Sequence, residues 1–236
     1  CMSTQRVLTG ITTTGTPHLG NYVGAIRPAI AASLEATAES FFFLADYHAL
    51  IKCQDPELVA QSAREIAATW LALGLDTDKV TFYRQSDVPE ISELTWLLMT
   101  GTGMGLLNRC TAYKEKKDKG IAADAGLFTY PVLMAADILA YDAEIVPVGE
   151  DQTQHIEVTR DIAQSFNHHF GETFVMPKSK VLAAGAKVPG TDGEKMSKSY
   201  DNTLAIFDDP KKQRKQIMRV TTDSRAMEES KDPDTD

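Results

Sequence analysis

Long apolar runs are missing from this chain of 236 residues. The longest candidates, Phe41 to Ala45 and Leu127 to Tyr141, stop short or are broken by Asp137. Neither reaches the ~20 apolar residues of a membrane-spanning helix, so no membrane partner is expected. Cysteine is scarce: Cys1, Cys53 and Cys110 lie far apart and never in C-x-x-C spacing. That excludes a disulfide framework and a cysteine zinc site. Positive charge is in deficit, with 24 Lys and Arg against 33 Asp and Glu and a net charge of −9. A protein basic all over that coats DNA or RNA is therefore excluded, although a local basic patch is not. Nothing resembling a signal or transit segment precedes the first candidate strand, so a reducing cytoplasm is the expected compartment.

What is present is globular in composition, 43% hydrophobic and 24% charged. Arg6 to Thr9, Phe41 to Ala45, Val80 to Tyr83 and Glu144 to Val148 read as strands. Helical patterns separate them: Asn21 to Ala38, a helix capped by Asp55 with Pro56 at its first position, Glu90 to Thr100, Leu127 to Tyr141 and Gln152 to Phe170. Trp70 and Trp96 fall at core-like helical positions, and Gly101, Gly103 and Gly105 read as a helix–helix turn. Strand and helix in alternation predict an α/β fold, a doubly wound parallel sheet covered on both faces. We expect residues 1–200 to form the ligand-binding domain and 201–236 to begin a further helical one. The basic run from Lys211 to Arg219 suits either a solvated helix face or a nucleic-acid backbone.

In open α/β sheets, ligands bind beyond the carboxyl ends of the strands. Three such ends are polar here: Gly10 to Asn21, Asp46-Tyr47-His48, and Gly149-Glu150-Asp151-Gln152. The first contains Gly10, Gly15 and Gly20 but neither G-x-G-x-x-G nor a P-loop. With His18 and Asn21 at a helix start it suits phosphate, or equally a capped glycine turn. Far downstream, Lys195-Met196-Ser197-Lys198-Ser199 places two lysines three apart on a loop, a pattern that can neutralise a departing pyrophosphate or be a plain charged loop. Tyr130, Met134, Asp137 and Tyr141 fall on one helical face. A carboxylate on an apolar helix needs a donor, which a protein side chain or an indole N–H could supply. His155, His168 and His169 lack partners at metal-ligand spacing, so no protein-held metal is expected.

His18-Leu19-Gly20-Asn21 and Lys195-Met196-Ser197-Lys198-Ser199 resemble the two signatures of class I aminoacyl-tRNA synthetases. The chain is most similar to the tryptophanyl family through Gly20 to Ala25, Thr129 to Leu139 and Val146 to Gln152, in family order. This resemblance implies activation of L-tryptophan by ATP with Mg2+, transfer to tRNA(Trp), and a homodimer. It assigns His18, Asn21, Lys195 and Lys198 to catalysis. It assigns Thr12, Thr13, Thr14, Gly20, Lys116, Val148, Gly149, Glu150, Asp151, Val188, Met196, Ser197 and Ser199 to ATP. Leu8, His48, Tyr130, Met134, Asp137 and Gln152 then form the tryptophan pocket. Thr12-Thr13-Thr14 departs from the family's usual Gln-Pro-Ser, and Ala112 from a frequent Gln. The tyrosyl family is the nearest competitor; it usually carries Gln where this chain has Met134. A non-catalytic synthetase-like binding module is the rival of another class.

Overall fold

Four consecutive buried residues, Phe41-Phe42-Phe43-Leu44, dictate the middle of the molecule, because only a strand covered on both faces hides such a run. In the computed structural model, which describes residues 4–35, 37–118, 124–149, 152–181 and 188–220, they lie in the second of five parallel strands. In chain order, β1 (Gln5–Thr12) is followed by α1 (Leu19–Asn21), a π-helical turn (Tyr22–Ile26) and α2 (Arg27–Ser33). Next come β2 (Ala38–Ala45), α3 (Asp46–Ala49), α4 (Pro56–Ala72), β3 (Val80–Arg84) and α5 (Glu90–Thr100). Then follow α6 (Met104–Asn108), α7 (Thr111–Asp118), α8 (Ala125–Leu139), β4 (Ile145–Val148), α9 (Thr153–Phe170), β5 (Lys178–Val181) and α10 (Pro210–Ile217).

The sheet order is β3-β2-β1-β4-β5, every pair parallel. The order in which strands are added therefore reverses between β1 and β4, the switch point at which doubly wound sheets open a binding crevice. Alternation along β2 sorts its aromatics between the faces. Phe42 meets Trp70 of α4 at a ring separation of 5.6 Å. Phe41 and Phe43 join Leu8, Ile138, Val146 and Ile156 beneath α8 and α9. A second cluster ties α8 to its helical neighbours through Ile91, Leu98, Leu107, Val132, Ala135, Leu139, Val158 and Ile162.

Local chemistry sets the helix limits. Asp55 accepts the amides of Glu57 and Leu58 ahead of Pro56, as its sequence position predicts. Asp124 caps α8 by accepting the Leu127 amide at 2.8 Å. The end of α8 falls at Leu139, two residues short of the expected Tyr141. Asp142 adopts φ 50°, and the amides of Asp142 and Ala143 close on the carbonyls of Leu139 and Ile138. That is a Schellman stop with aspartate in the place glycine usually takes. Tyr141, just beyond the helix, packs on Phe41 and Tyr83, each with ring centroids 5.3 Å away.

Other expectations need correction. The helix begun at Asn21 stops at Ser33 rather than Ala38, since β2 already starts at Ala38 and pairs with Gln5. Trp96 is 64% exposed while Trp70 is 5% exposed. Ile91, Leu94 and Leu98 form the inward stripe of α5, and Trp96 lies about 160° around the helix from Leu98. The exposed polar edge strand β5 carries no apolar signal and escapes sequence reading.

The chain forms two compact units, Cys1–Thr16 with Pro28–Ala184, and Pro17–Arg27 with Gly185–Asp236. This differs from a boundary after residue 200. The cause is the segment around His18, which joins the late part of the chain: Leu19 donates to the Leu204 carbonyl at 2.8 Å and Ile206 to that of Pro17 at 3.2 Å. The first unit holds the whole sheet.

Leu8, 1% exposed in the sheet cluster, offers a direct test of that packing. Leu8→Ala should lower unfolding free energy by about 2–5 kcal/mol in urea denaturation. A loss below about 0.5 kcal/mol would show that the strand is not packed as described.

Candidate active site

In the first unit the central feature is Asp137, 2% exposed on the fourth, last turn of α8. Its Oδ2 lies 2.8 Å from His48 Nε2 on α3. Gln85, one residue beyond β3, places Nε2 at 2.9 Å from Oδ1 and 3.0 Å from Oδ2. Burial pushes the Asp137 carboxyl above its ordinary range, and the bonds from His48 and Gln85 work against that rise. A carboxylate offers about four acceptor positions. His48 takes one on Oδ2 and the single Gln85 nitrogen is shared between the two oxygens, so Oδ1 retains capacity for a further N–H.

Around this acid the expected pocket residues divide. Met134 is half-buried and edges the same cluster that encloses Leu8. Tyr130 sits edge-on to His155 with ring centroids at 5.6 Å. Burial, then proximity to Cys110, pushes its hydroxyl up to about 12. Gln152 occupies the N-cap position of α9, and its amide donates to the Gly149 carbonyl at 3.0 Å. Val148 ends β4 half-buried, and Gly149 beyond it is exposed.

The three threonines after β1 do not act alike. Thr12 is exposed and Thr14 half-buried. Thr13 is 1% exposed, and its Oγ1 donates to the Ala45 carbonyl at 3.3 Å. That side chain staples the ends of β1 and β2. Gly15, at φ 72°, completes the turn in a conformation that favours glycine.

The second unit brings both signatures together. His18 is the N-cap of α1, not Asn21: its Nδ1 accepts the Asn21 amide at 3.3 Å, and Asn21 Oδ1 accepts the His18 amide at 3.0 Å. Because Nδ1 accepts, the neutral ring carries its proton on Nε2, the form able to donate to a phosphate oxygen. Burial, and then the Lys198 ammonium, hold the His18 pKa below 6.5. Gly20 fits this corner closely, since a Cβ there would stand 3.0 Å from His18 Cε1 and press on the imidazole. Its amide donates to Met196 Sδ at 3.3 Å, so the buried methionine of the lysine loop rests on the histidine–glycine turn.

The loop itself is organised by a residue the sequence reading missed. Asn202 is 2% exposed; it accepts the Ser197 amide at 2.8 Å and donates to Asp192 at 2.8 Å and to the Lys195 carbonyl at 3.1 Å. Gly190 has no room for a Cβ, which would sit 2.3 Å from Asn202 Nδ2. Both lysines are exposed, and partial burial lowers the pKa of Lys198. Val188 is half-buried and takes the Met196 amide at 2.9 Å. Glu150 and Asp151, with the side chains of Ala112, Lys116 and Ser199, lie outside the described residues. The basic run forms the exposed helix α10, capped by Asp209, with Lys212 paired to Asp208 at 2.7 Å.

The parallel sheet with its switch point, together with the two signature segments, defines a class I synthetase catalytic region. The family model for tRNA synthetases class I (W and Y) matches residues 3–235. A tryptophan–tRNA ligase from Rhodopirellula baltica is 64% identical over 98% of this chain and 72% of that protein. One from Pseudomonas syringae is 60% identical over 98% of this chain, which spans 54% of that relative. A solved tryptophanyl-tRNA synthetase from Campylobacter jejuni, complexed with ADP and tryptophan, superposes at TM-score 0.89 with 50% identity, covering 97% of this chain and 71% of that one. The chain belongs to the class I tRNA synthetases of the tryptophan and tyrosine family, and within it to the tryptophan–tRNA ligases.

Two outcomes test this geometry. Unfolded histidine takes up its proton near pH 6.5, before folded His18 does, so stability should fall as pH drops through that range. An imidazole NMR titration of His18 with its midpoint at or above 6.5 would contradict the assignment. Gly190→Ala should expel Asn202 and strip hydrogen-exchange protection from the Ser197 amide; unchanged protection would show that Asn202 does not hold the loop.

Proposed function

We propose that this chain activates L-tryptophan with ATP, forming tryptophanyl-adenylate and pyrophosphate, and that the whole protein passes tryptophan to tRNA(Trp). The observation that carries the reading is the histidine–glycine corner resting on the lysine loop, through the Gly20 amide on Met196 Sδ. Two segments remote in sequence thereby present a neutral imidazole and two ammonium groups within one unit. Such groups suit a polyphosphate.

The chemistry asks for little else. The substrate carboxylate is already ionised, so no general base or covalent nucleophile is needed. One of its oxygens bonds to the α-phosphorus as the bond to the bridging oxygen breaks, and pyrophosphate leaves with that electron pair. Lys195 and Lys198 neutralise the charge that gathers on the leaving group, while His18 and Asn21 orient phosphate oxygens. Mg2+ would add further neutralisation. The groups gathered at this corner are imidazole, amide and ammonium, and the Asp192 carboxylate accepts from Asn202. These residues fit a metal brought and held by phosphate oxygens rather than by side chains.

Recognition of the amino acid falls to the first unit. Asp137 Oδ1 accepts the indole N–H, with Met134 and Tyr130 along the ring and His48 and Gln152 nearby. A homodimer and a cytoplasmic location belong to the same proposal; they rest on the family resemblance and on the cysteine pattern.

ATP–pyrophosphate exchange on the intact protein, run with each amino acid, tests the reading. Tryptophan should drive exchange. Exchange driven by tyrosine would select the sister specificity, and none with any amino acid would support a binding module. Asp137→Ala should weaken tryptophan selection by roughly 2–4 kcal/mol; unchanged discrimination against phenylalanine would refute its role. Lys195→Ala should slow adenylate formation far more than it weakens ATP binding, whereas equal losses would place Lys195 in ground-state binding.

A further inference from the structure

Gln85 is 0% exposed, yet it stands at the end of a strand beside a polar cluster rather than in an apolar core. Its two amide atoms have separate tasks. Oε1 accepts the Tyr47 amide at 3.0 Å, while Nε2 reaches both oxygens of Asp137. Rotating the amide by half a turn would set oxygen against carboxylate and NH2 against N–H, so only one orientation satisfies both neighbours. The Tyr47 amide is itself fixed, because Asp46 beside it accepts the Ser86 amide at 3.0 Å. Strand β3 and helix α3 are thus latched by two crossed bonds, and Asp137 is held against that latch.

We propose that Gln85 is a positioning residue for amino-acid selection: it fixes the plane of the Asp137 carboxylate so that Oδ1 meets the indole N–H. This rests on the reading of Asp137 given above. The groups facing that carboxylate are His48 and Asp46 from α3, Tyr83 from β3 and Tyr141 beyond α8. Gln85 is the uncharged donor among them that contacts both oxygens. A donor spanning both oxygens resists rotation of the carboxylate, which His48 on Oδ2 alone does not. With the plane free, Asp137 could still accept a proton, but it would no longer distinguish a ring that offers N–H from one that does not.

The test compares kcat/KM in ATP–pyrophosphate exchange for L-tryptophan and for L-3-benzothienylalanine, in which sulfur replaces the indole N–H. The ATP-dependent steps are common to both, so their ratio isolates ring recognition. Gln85→Glu keeps the acceptor for Tyr47 and sets a carboxylate against Asp137. The preference for tryptophan should fall about 10- to 100-fold at pH 8, through the KM for tryptophan with that for ATP unchanged. Near pH 6 part of it should return, because the introduced carboxyl, once protonated, donates in the amide's place. Gln85→Met, of similar volume without a donor, should show the same loss and no recovery. A preference retained by both variants, while Asp137→Ala abolishes it, overturns the proposal and leaves the role of Asp137 standing. A preference that survives Asp137→Ala overturns both.

Discussion

A carboxylate sealed inside an apolar helix is the constraint around which the first unit is built. Without donors, burying Asp137 would cost several kcal/mol. The donors arrive from two different strand ends: His48 after β2 and Gln85 after β3. Meeting that demand ties α8 to the segments that follow β2 and β3. The aspartate-closed end of α8 then releases Tyr141 to pack on Phe41 and Tyr83. On the proposed reading, the acceptor capacity left on Asp137 is what would meet a ring with one N–H.

The second unit solves the opposite problem. Lys195 and Lys198 are exposed, so burial does not fix them. The backbone is ordered instead by a neutral side chain, Asn202, seated where Gly190 leaves room. The methionine between the lysines is the loop's apolar anchor, buried against Gly20. Order and charge are thereby separated: asparagine and methionine shape the loop, while the lysines stay exposed.

Much of this was legible in the sequence where one residue's chemistry decides the outcome. The apolar run Phe41 to Leu44 announced a central strand, and Asp55-Pro56 announced a helix start at the right residue. Asp137 stood out as an acid on an apolar helix. Features that depend on a distant partner were not legible. Gln85 reads as an ordinary polar residue until Asp137 is placed beside it, and Asn202 until Gly190 is. Thr13 looked like its two neighbours, yet the register of β1 against β2 turns it inward to Ala45. Trp96 looked like core because its size outweighed its angular position on α5.

The central claim is that one oxygen of Asp137 accepts the indole N–H in a site closed to water. The direct measurement is the NMR spectrum of indole-15N tryptophan bound to the protein. The account predicts an indole proton shifted downfield and exchanging with water much more slowly than in free tryptophan, with both effects lost in Asp137→Ala. An indole proton that exchanges as in free tryptophan would contradict it.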